Sequence, residues 1–302
     1  MIRIALVVVA LVILAAAGAC VWQEARYLRL RRHVVQDHQA LLHGDVFHVV
    51  TFLEIAPGAD LFAAVRRFRD AAETAGGGRM VYAGKVALNA LSSSQLVERF
   101  GAEVAWSAVV LVQYPSRAVW ERAARSDEFR EALTAFPHSH STGMQRSAAE
   151  NLVIPLVLLA ERARQIVTRA ASHFPFERAA DVPADFEGAA MQRLSAERNL
   201  GRSAVVIVNL TRSGTADQQA ADRAYVGEMF GLMAEGVHGP MHIGRAIRIE
   251  GNAEFDRVAL VYYPGIDYFA DMARSRFYRG IVGGKQLADT QASITVPILD
   301  RL

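Results

Sequence analysis

VVLVQYPS at residues 109–116 returns as VALVYYPG at residues 258–265. In both places an apolar, β-rich run stops at a proline and a helix-like stretch follows. The likeness extends outward in one order. Trp120 is answered by Phe269, Ala124-Arg125-Ser126 by Ala273-Arg274-Ser275, and Phe129-Arg130 by Tyr278-Arg279. Upstream, Gly78-Arg79-Met80 and Gly84-Lys85 match Gly239-Pro240-Met241 and Gly244-Arg245. Each unit opens on a β-rich run, FHVVTFLEI from Phe47 and AVVIVNL from Ala204. Each closes on an apolar run broken by one proline, Val153-Ile154-Pro155-Leu156 and Thr295-Val296-Pro297-Ile298. Matches in one order along two halves point to an internal duplication.

Within a unit the hydrophobic period changes readably. A strand at 46–55 precedes a helix from Leu61 to Ala75, whose Leu61, Val65, Phe68 and Ala72 share one apolar face. Gly76-Gly77-Gly78 ends that helix. Strands follow at 79–88 and 105–114, a helix at 117–132 and a last strand at 150–158. The order is β-α-β-β-α-β. The second unit repeats it, with strands at 203–211, 241–250, 256–263 and 292–299 and helices at 217–235 and 266–279. Glu161 to Ala171 reads as a connecting helix, and Pro175 and Pro183 break the chain after it. The predicted divisions are an anchor and basic segment at 1–45, a first unit at 46–159, a helical linker at 160–202 and a second unit at 203–302. The predicted class is α+β, two ferredoxin-like units behind one transmembrane helix. Helices cover one face of such a sheet, so pairing the two sheets face to face covers the other. With both units in one chain the expected product is a monomeric pseudo-dimer.

This pattern resembles the dimeric α/β-barrel superfamily, and more narrowly the small bacterial domains called DUF1330. The pieces that carry the resemblance are Gly76-Gly77-Gly78, Gly84, Val109 to Ser116, and Trp120 with Phe129. They cover nearly all of residues 46–159 and, more weakly, 203–299. The superfamily includes cofactor-independent monooxygenases, haem-degrading enzymes, muconolactone-type isomerases and dye-decolourising peroxidases. The resemblance therefore implies a fold and a place for a site, and no reaction.

Ahead of the units, Ile4 to Trp22 runs nineteen residues without a charge, IALVVVALVILAAAGACVW. As a helix it spans about 28 Å, close to the hydrocarbon thickness of a bilayer. Trp22 and Tyr27 suit the interfacial belt; Arg26, Arg29, Arg31 and Arg32 follow, against Arg3 and the α-amine on the other side. The positive-inside rule places the body of the protein on the cytoplasmic face of the inner membrane. A cleaved signal at Ala15-Ala16-Ala17 or Ala17-Gly18-Ala19, and a lipoprotein box ending in Cys20, are the alternatives, and the latter implies the periplasm. The expected partners are the bilayer, through residues 4–22, and a small apolar ligand. Of 302 residues, 33 are basic and 31 acidic, so no concentrated positive charge points to nucleic acid. The single cysteine excludes an internal disulfide and any multi-cysteine zinc site.

No motif names a reaction. His138 and His140 read as a solvated loop pair, since a metal needs a third ligand. His33, His38 and His43 rotate by about 140° at each step of a helix and share no face. His242 is the nearest candidate for a haem ligand. The glycine runs 76–78 and 283–284 lack the strand-to-helix context and lysine of a phosphate cradle. No cofactor and no metal are expected. Candidate pocket residues come from the faces that alternation turns between the units: Tyr82, Trp106, Tyr114, His242, Tyr262 and, at the rim, Arg245. Two functions follow from different classes, a membrane-tethered binding or scaffold module and a cofactor-independent oxygenase or isomerase acting on a lipophilic molecule. A packed interior favours the first and a hollow one the second.

Overall fold

Branched and aromatic residues fill the runs at 47–54, 108–114, 205–212 and 257–263, side chains that suit a pleated surface buried on both faces. In the computed structural model each run is a strand. The structure describes residues 2–31, 34, 46–74, 76–146, 148–182, 204–236 and 238–302. After α1 (Ile2–Arg31) come β1 (Phe47–Glu54), α2 (Leu61–Thr74), β2 (Arg79–Leu91), α3 (Ser94–Phe100) and β3 (Ala108–Tyr114). Then follow α4 (Arg117–Ala123), α5 (Asp127–Leu133), β4 (His138–Gln145), α6 (Ala148–Thr168) and β5 (Val205–Arg212). The chain finishes with α7 (Ala216–Ala234), β6 (Gly239–Arg248), β7 (Arg257–Tyr263), α8 (Ile266–Arg274), α9 (Arg276–Ile281) and β8 (Asp289–Pro297).

The eight strands close into one barrel in the order β1-β3-β2-β8-β5-β7-β6-β4, every neighbour antiparallel. Strands one to four lie in the order 4-1-3-2 and strands five to eight in the matching order 8-5-7-6. Face-to-face pairing was only part of the answer. The sheets also join edge to edge, Lys85 opposite Val296 on the β2–β8 seam and Met144 opposite Ala246 on the β4–β6 seam. Both seams pair a second strand with a fourth, so closure leaves no open strand edge.

Three expected elements are corrected. The last strand of the first unit is β4, and residues 150–158 belong to α6. β4 reads HSHSTGMQ, whose buried His140, Ser141 and Thr142 are polar and hydrogen-bonded and whose one large apolar side chain is Met144, so it shows no hydrophobic alternation; the apolar run at 152–160 is helical instead. The closing proline runs were therefore no true pair. Each helix expected at 117–132 and 266–279 is two short helices. Ser126 and Ser275 cap the second member, their hydroxyls accepting from the amides of Phe129 and Tyr278. The anchor expectation meets a plain fact: among the described residues, no helix is long and apolar enough to cross a membrane. α1 is helical over Ile2–Arg31, but its unbroken run of described side chains is residues 6–19, about 21 Å of helix. His33, His38, His43 and the linker residues 183–202 lie outside the described residues, as does the Cys20 side chain.

Registers settle which faces turn inward. His48, Val50 and Phe52 of β1 face the same way as Met144, Thr142 and His140 of β4. Val206, Val208 and Leu210 of β5 face the same way as Tyr262, Leu260 and Val258 of β7. Members of these sets join Tyr82, Leu111 and Met241 in one buried cluster inside the barrel. Two further clusters lie outside it, beneath α2, α4 and α5 and beneath α7 and α8.

α3 clasps the two halves at the barrel end where β1 finishes. Asp289 at the start of β8 accepts from the Ser93 hydroxyl at 2.6 Å and from the Ser94 amide at 2.9 Å, and so caps α3 from across the seam. Gln95 exchanges hydrogen bonds with the Glu254 backbone at 3.0 and 2.8 Å. At the far end of α3, Arg99 reaches Glu250 at 3.4 Å. Burial opposes ionisation of Asp289, but donors on Ser93, Gln95 and the Ser94 amide outweigh it and hold the carboxyl below its ordinary range. Burial likewise opposes ionisation of Glu250 and is outweighed by His140, the Ser141 amide and Arg99. A carboxyl lowered by folding contributes fully above its unfolded value, about pH 4, and loses that contribution as pH falls through the lowered one. Thermal melting followed from neutral to acid pH should therefore show a falling midpoint. Asp289→Asn should lower it by about 1 kcal/mol of stability at pH 7 and flatten the acid limb.

Candidate functional site

β1, β2, β5 and β6 all begin at one barrel end, because each alternates with a strand running the other way. Polar side chains from both halves converge there. Tyr82 sits just past a bulge in β2, and His242 just past the matching bulge in β6. Each bulge rotates its residue inward, and each residue is followed two positions later by a glycine, Gly84 or Gly244. A Cβ at Gly84 would lie 2.8 Å from the Cβ of Thr295; one at Gly244 would lie 2.6 Å from the Gln145 carbonyl. Gly84 leaves the room that the Tyr82 hydroxyl occupies, and Gly244 lets β4 with Met144 and Arg146 approach closely.

The two halves use this geometry differently. Tyr82, fully buried, donates to Thr295 Oγ1 at 2.6 Å, and Thr295 donates onward to the Val206 carbonyl at 2.7 Å. Burial pushes the Tyr82 hydroxyl well above the usual phenol range, against a smaller opposing effect of Thr295, so it stays protonated. At the β6 bulge, across the β4–β6 seam, Arg146 Nη1 donates to His242 Nδ1 at 2.8 Å, which leaves the proton of a neutral imidazole on Nε2. The His48 ring packs 5.5 Å from that of His242. His48 stands where the second half has Val206, and Met144 where it has Thr295. The imidazoles and the guanidinium are thus confined to one side of an otherwise matched frame.

The remaining candidates scatter. Tyr262 is buried inside the barrel at the same end. Trp106 is also inside, but at the α3 end, between Phe52 and Phe100 at 5.7 and 5.8 Å. Tyr114 is a correction: with Ala108, Val110 and Val112 it faces the helices, because Val109 and Leu111 take the inward positions. Its ring explains the glycine run, since a Cβ at Gly78 would lie 2.7 Å from Tyr114 Cε1. Arg245 points outside, to Gln145 Oε1 at 3.1 Å. His138 and His140 are no loop pair but lie on β4. His140 is buried, accepting from Arg99 at 2.7 Å and facing Thr142 at 3.0 Å, while His138 pairs with Glu54. Among the described residues no group of three His, Cys, Asp or Glu side chains could hold a metal ion.

His48, Arg146 and Thr295 were not read from the sequence. His48 had a signal: a polar residue in phase with Val50 and Phe52 in an apolar run. Arg146 had none once β4 was misplaced. His238, also missed, stacks on Tyr263 outside the barrel and receives a hydrogen bond from the Tyr268 hydroxyl at 2.8 Å or returns it. Burial holds its pKa down at about 3, so it stays neutral.

No family model matches the chain, DUF1330 included, and no curated protein matches it. Solved structures do. An anthrone oxidase-like protein is 9% identical with a TM-score of 0.42, the match covering 85% of this chain and 92% of that one. A mutant chlorite dismutase from Candidatus Nitrospira defluvii is 9% identical with a TM-score of 0.42, covering 87% and 97%. At such identities and overlaps they bear on neither chemistry nor substrate. The barrel rests on its own strand order.

With backbone and side chains this close to the would-be Cβ atoms, filling Gly84 or Gly244 should be costly. Gly244→Val should destabilise by about 1–3 kcal/mol through overpacking. Gly227→Ala, in a helix position with nothing near its would-be Cβ, should be neutral or stabilising by up to about 1 kcal/mol. Denaturant melts of the two variants check this.

Proposed function

We propose that this chain is a membrane-tethered scaffold module, a rigid tandem barrel held at the inner membrane by α1, with no reaction of its own. The observation that supports this reading most is how the barrel interior is filled. Tyr82, Phe52, Leu111, Met144, Leu210 and Leu260 are among the largest fully buried side chains, and they come from six different strands. The inward polar groups are used within the protein: Tyr82 on Thr295, His242 on Arg146 and His140 on Arg99. A ligand site presents its few polar groups to a cavity; here they bond to each other. A phenol held protonated is also no general base.

On this proposal residues 4–22 cross the bilayer, with Arg26 to Arg32 holding the body on the cytoplasmic side. A reporter fused after Leu302 that works only in the periplasm would reverse that orientation. On this proposal the two units are duplicates that resemble DUF1330 domains in the repeated motif, and the chain is a monomeric pseudo-dimer.

A second reading rests on the one-sided placement of His48, His242 and Arg146. Imidazoles and a guanidinium gathered on that one side suit a small lipophilic ligand entering from that end, with isomerase- or oxygenase-type chemistry needing no cofactor. Native mass spectrometry of the full chain released from detergent separates the two. The scaffold reading expects a bare monomer mass. A reproducible small adduct, lost in His242→Leu, would favour the second reading, and a dimer would contradict the self-contained barrel.

A further inference from the structure

α6 has two apolar faces, and the domain uses one. Pro155, Leu158 and Gln165 are buried against the body, where Gln165 donates to the Gly231 carbonyl of α7 at 2.7 Å. On the opposite face Val153, Leu156, Val157, Ala160, Ala163 and Val167 recur at helical spacing, and all are exposed. Val153 is 52%, Leu156 46% and Val167 82% exposed. The stripe is about 21 Å long, at 1.5 Å per residue. A surface helix that offers solvent an unbroken apolar stripe, while packing its other face, has a further partner.

We propose that this stripe lies in the headgroup–acyl boundary of a phospholipid bilayer, as a second contact beside α1. The proposal rests on the reading of α1 as the anchor. Three observations favour lipid over another occupant. α6 lies directly against α1, whose described side chains from Leu6 to Ala19 are all exposed. α6 leaves the barrel at the end where β1 begins, since His48 is opposite Met144. Arg164, exposed, borders the stripe beside Ala160 and Val167 and pairs with Glu161. An exposed apolar stripe with an arginine at its border suits an interfacial helix on an anionic leaflet. Two attachments, one spanning and one lying in the surface, would fix the barrel's orientation to the membrane.

The test uses the full chain in mixed phosphatidylcholine–phosphatidylglycerol vesicles, with Cys20→Ser removing the only native thiol. Nitroxide labels go on single cysteines replacing Val153, Val157 or Val167 on the stripe, Leu11 in α1 and Gln219 on the exposed side of α7. Power saturation compares collisions with oxygen, which partitions into lipid, and with a water-soluble nickel chelate. The expected result is an oxygen-to-nickel ratio several-fold higher at all three stripe positions than at Gln219, with Leu11 highest. Stripe labels that behave like Gln219 while Leu11 stays lipid-exposed would overturn this proposal and leave the anchor standing. Spin–spin broadening at the stripe would overturn it in favour of a second copy of the chain. A water-exposed Leu11 would remove the anchor, and this proposal with it.

Discussion

Everything in this structure depends on the two seams, β2 with β8 and β4 with β6. A four-stranded sheet covered on one face by helices leaves an apolar face and two strand edges to satisfy. Here each sheet supplies what the other lacks. Closing the ring pairs the edge strands and puts both bare faces inside one core in the same step. Neither half can do this alone, and the α3 clasp adds hydrogen bonds between the halves at the barrel end where β1 finishes.

Closure also explains the character of the interior. A barrel of eight strands is just wide enough for side chains to fill. Tyr82 and His242 turn inward where the backbone gives way, at matching bulges in β2 and β6, each followed by a glycine. At the β2–β8 seam a tyrosine fills the space and bonds to a threonine. At the β4–β6 seam stand an imidazole, a second imidazole and a guanidinium. The frame is shared and the contents are not.

Much of this architecture is legible in the sequence, because strands one to three and five to seven bury branched residues and advertise themselves by period and by terminal proline or glycine. β4 is not legible, because its buried His140 and Ser141 have partners distant in sequence; its polarity looks like a loop until Arg99, Glu250 and Thr51 are placed around it. The same error hid Arg146 and handed the strand to α6. Alternation found Tyr82 and Tyr262 as inward residues and His242 as their neighbour. It misplaced Tyr114, because Trp106 precedes the strand and does not share its phase. The glycine run at 76–78 and the tyrosine of the repeated motif were seen separately; they are one contact.

The central claim, that one chain closes its own barrel through both seams, is tested most directly by amide hydrogen exchange on the full-length protein. Closure predicts that the amides of β2 and β8, and of β4 and β6, that pair across the seams exchange as slowly as those of β1 and β5, at any protein concentration. Fast exchange confined to the seam-facing amides, with β1 and β5 still protected, would mean two open sheets and would contradict the account.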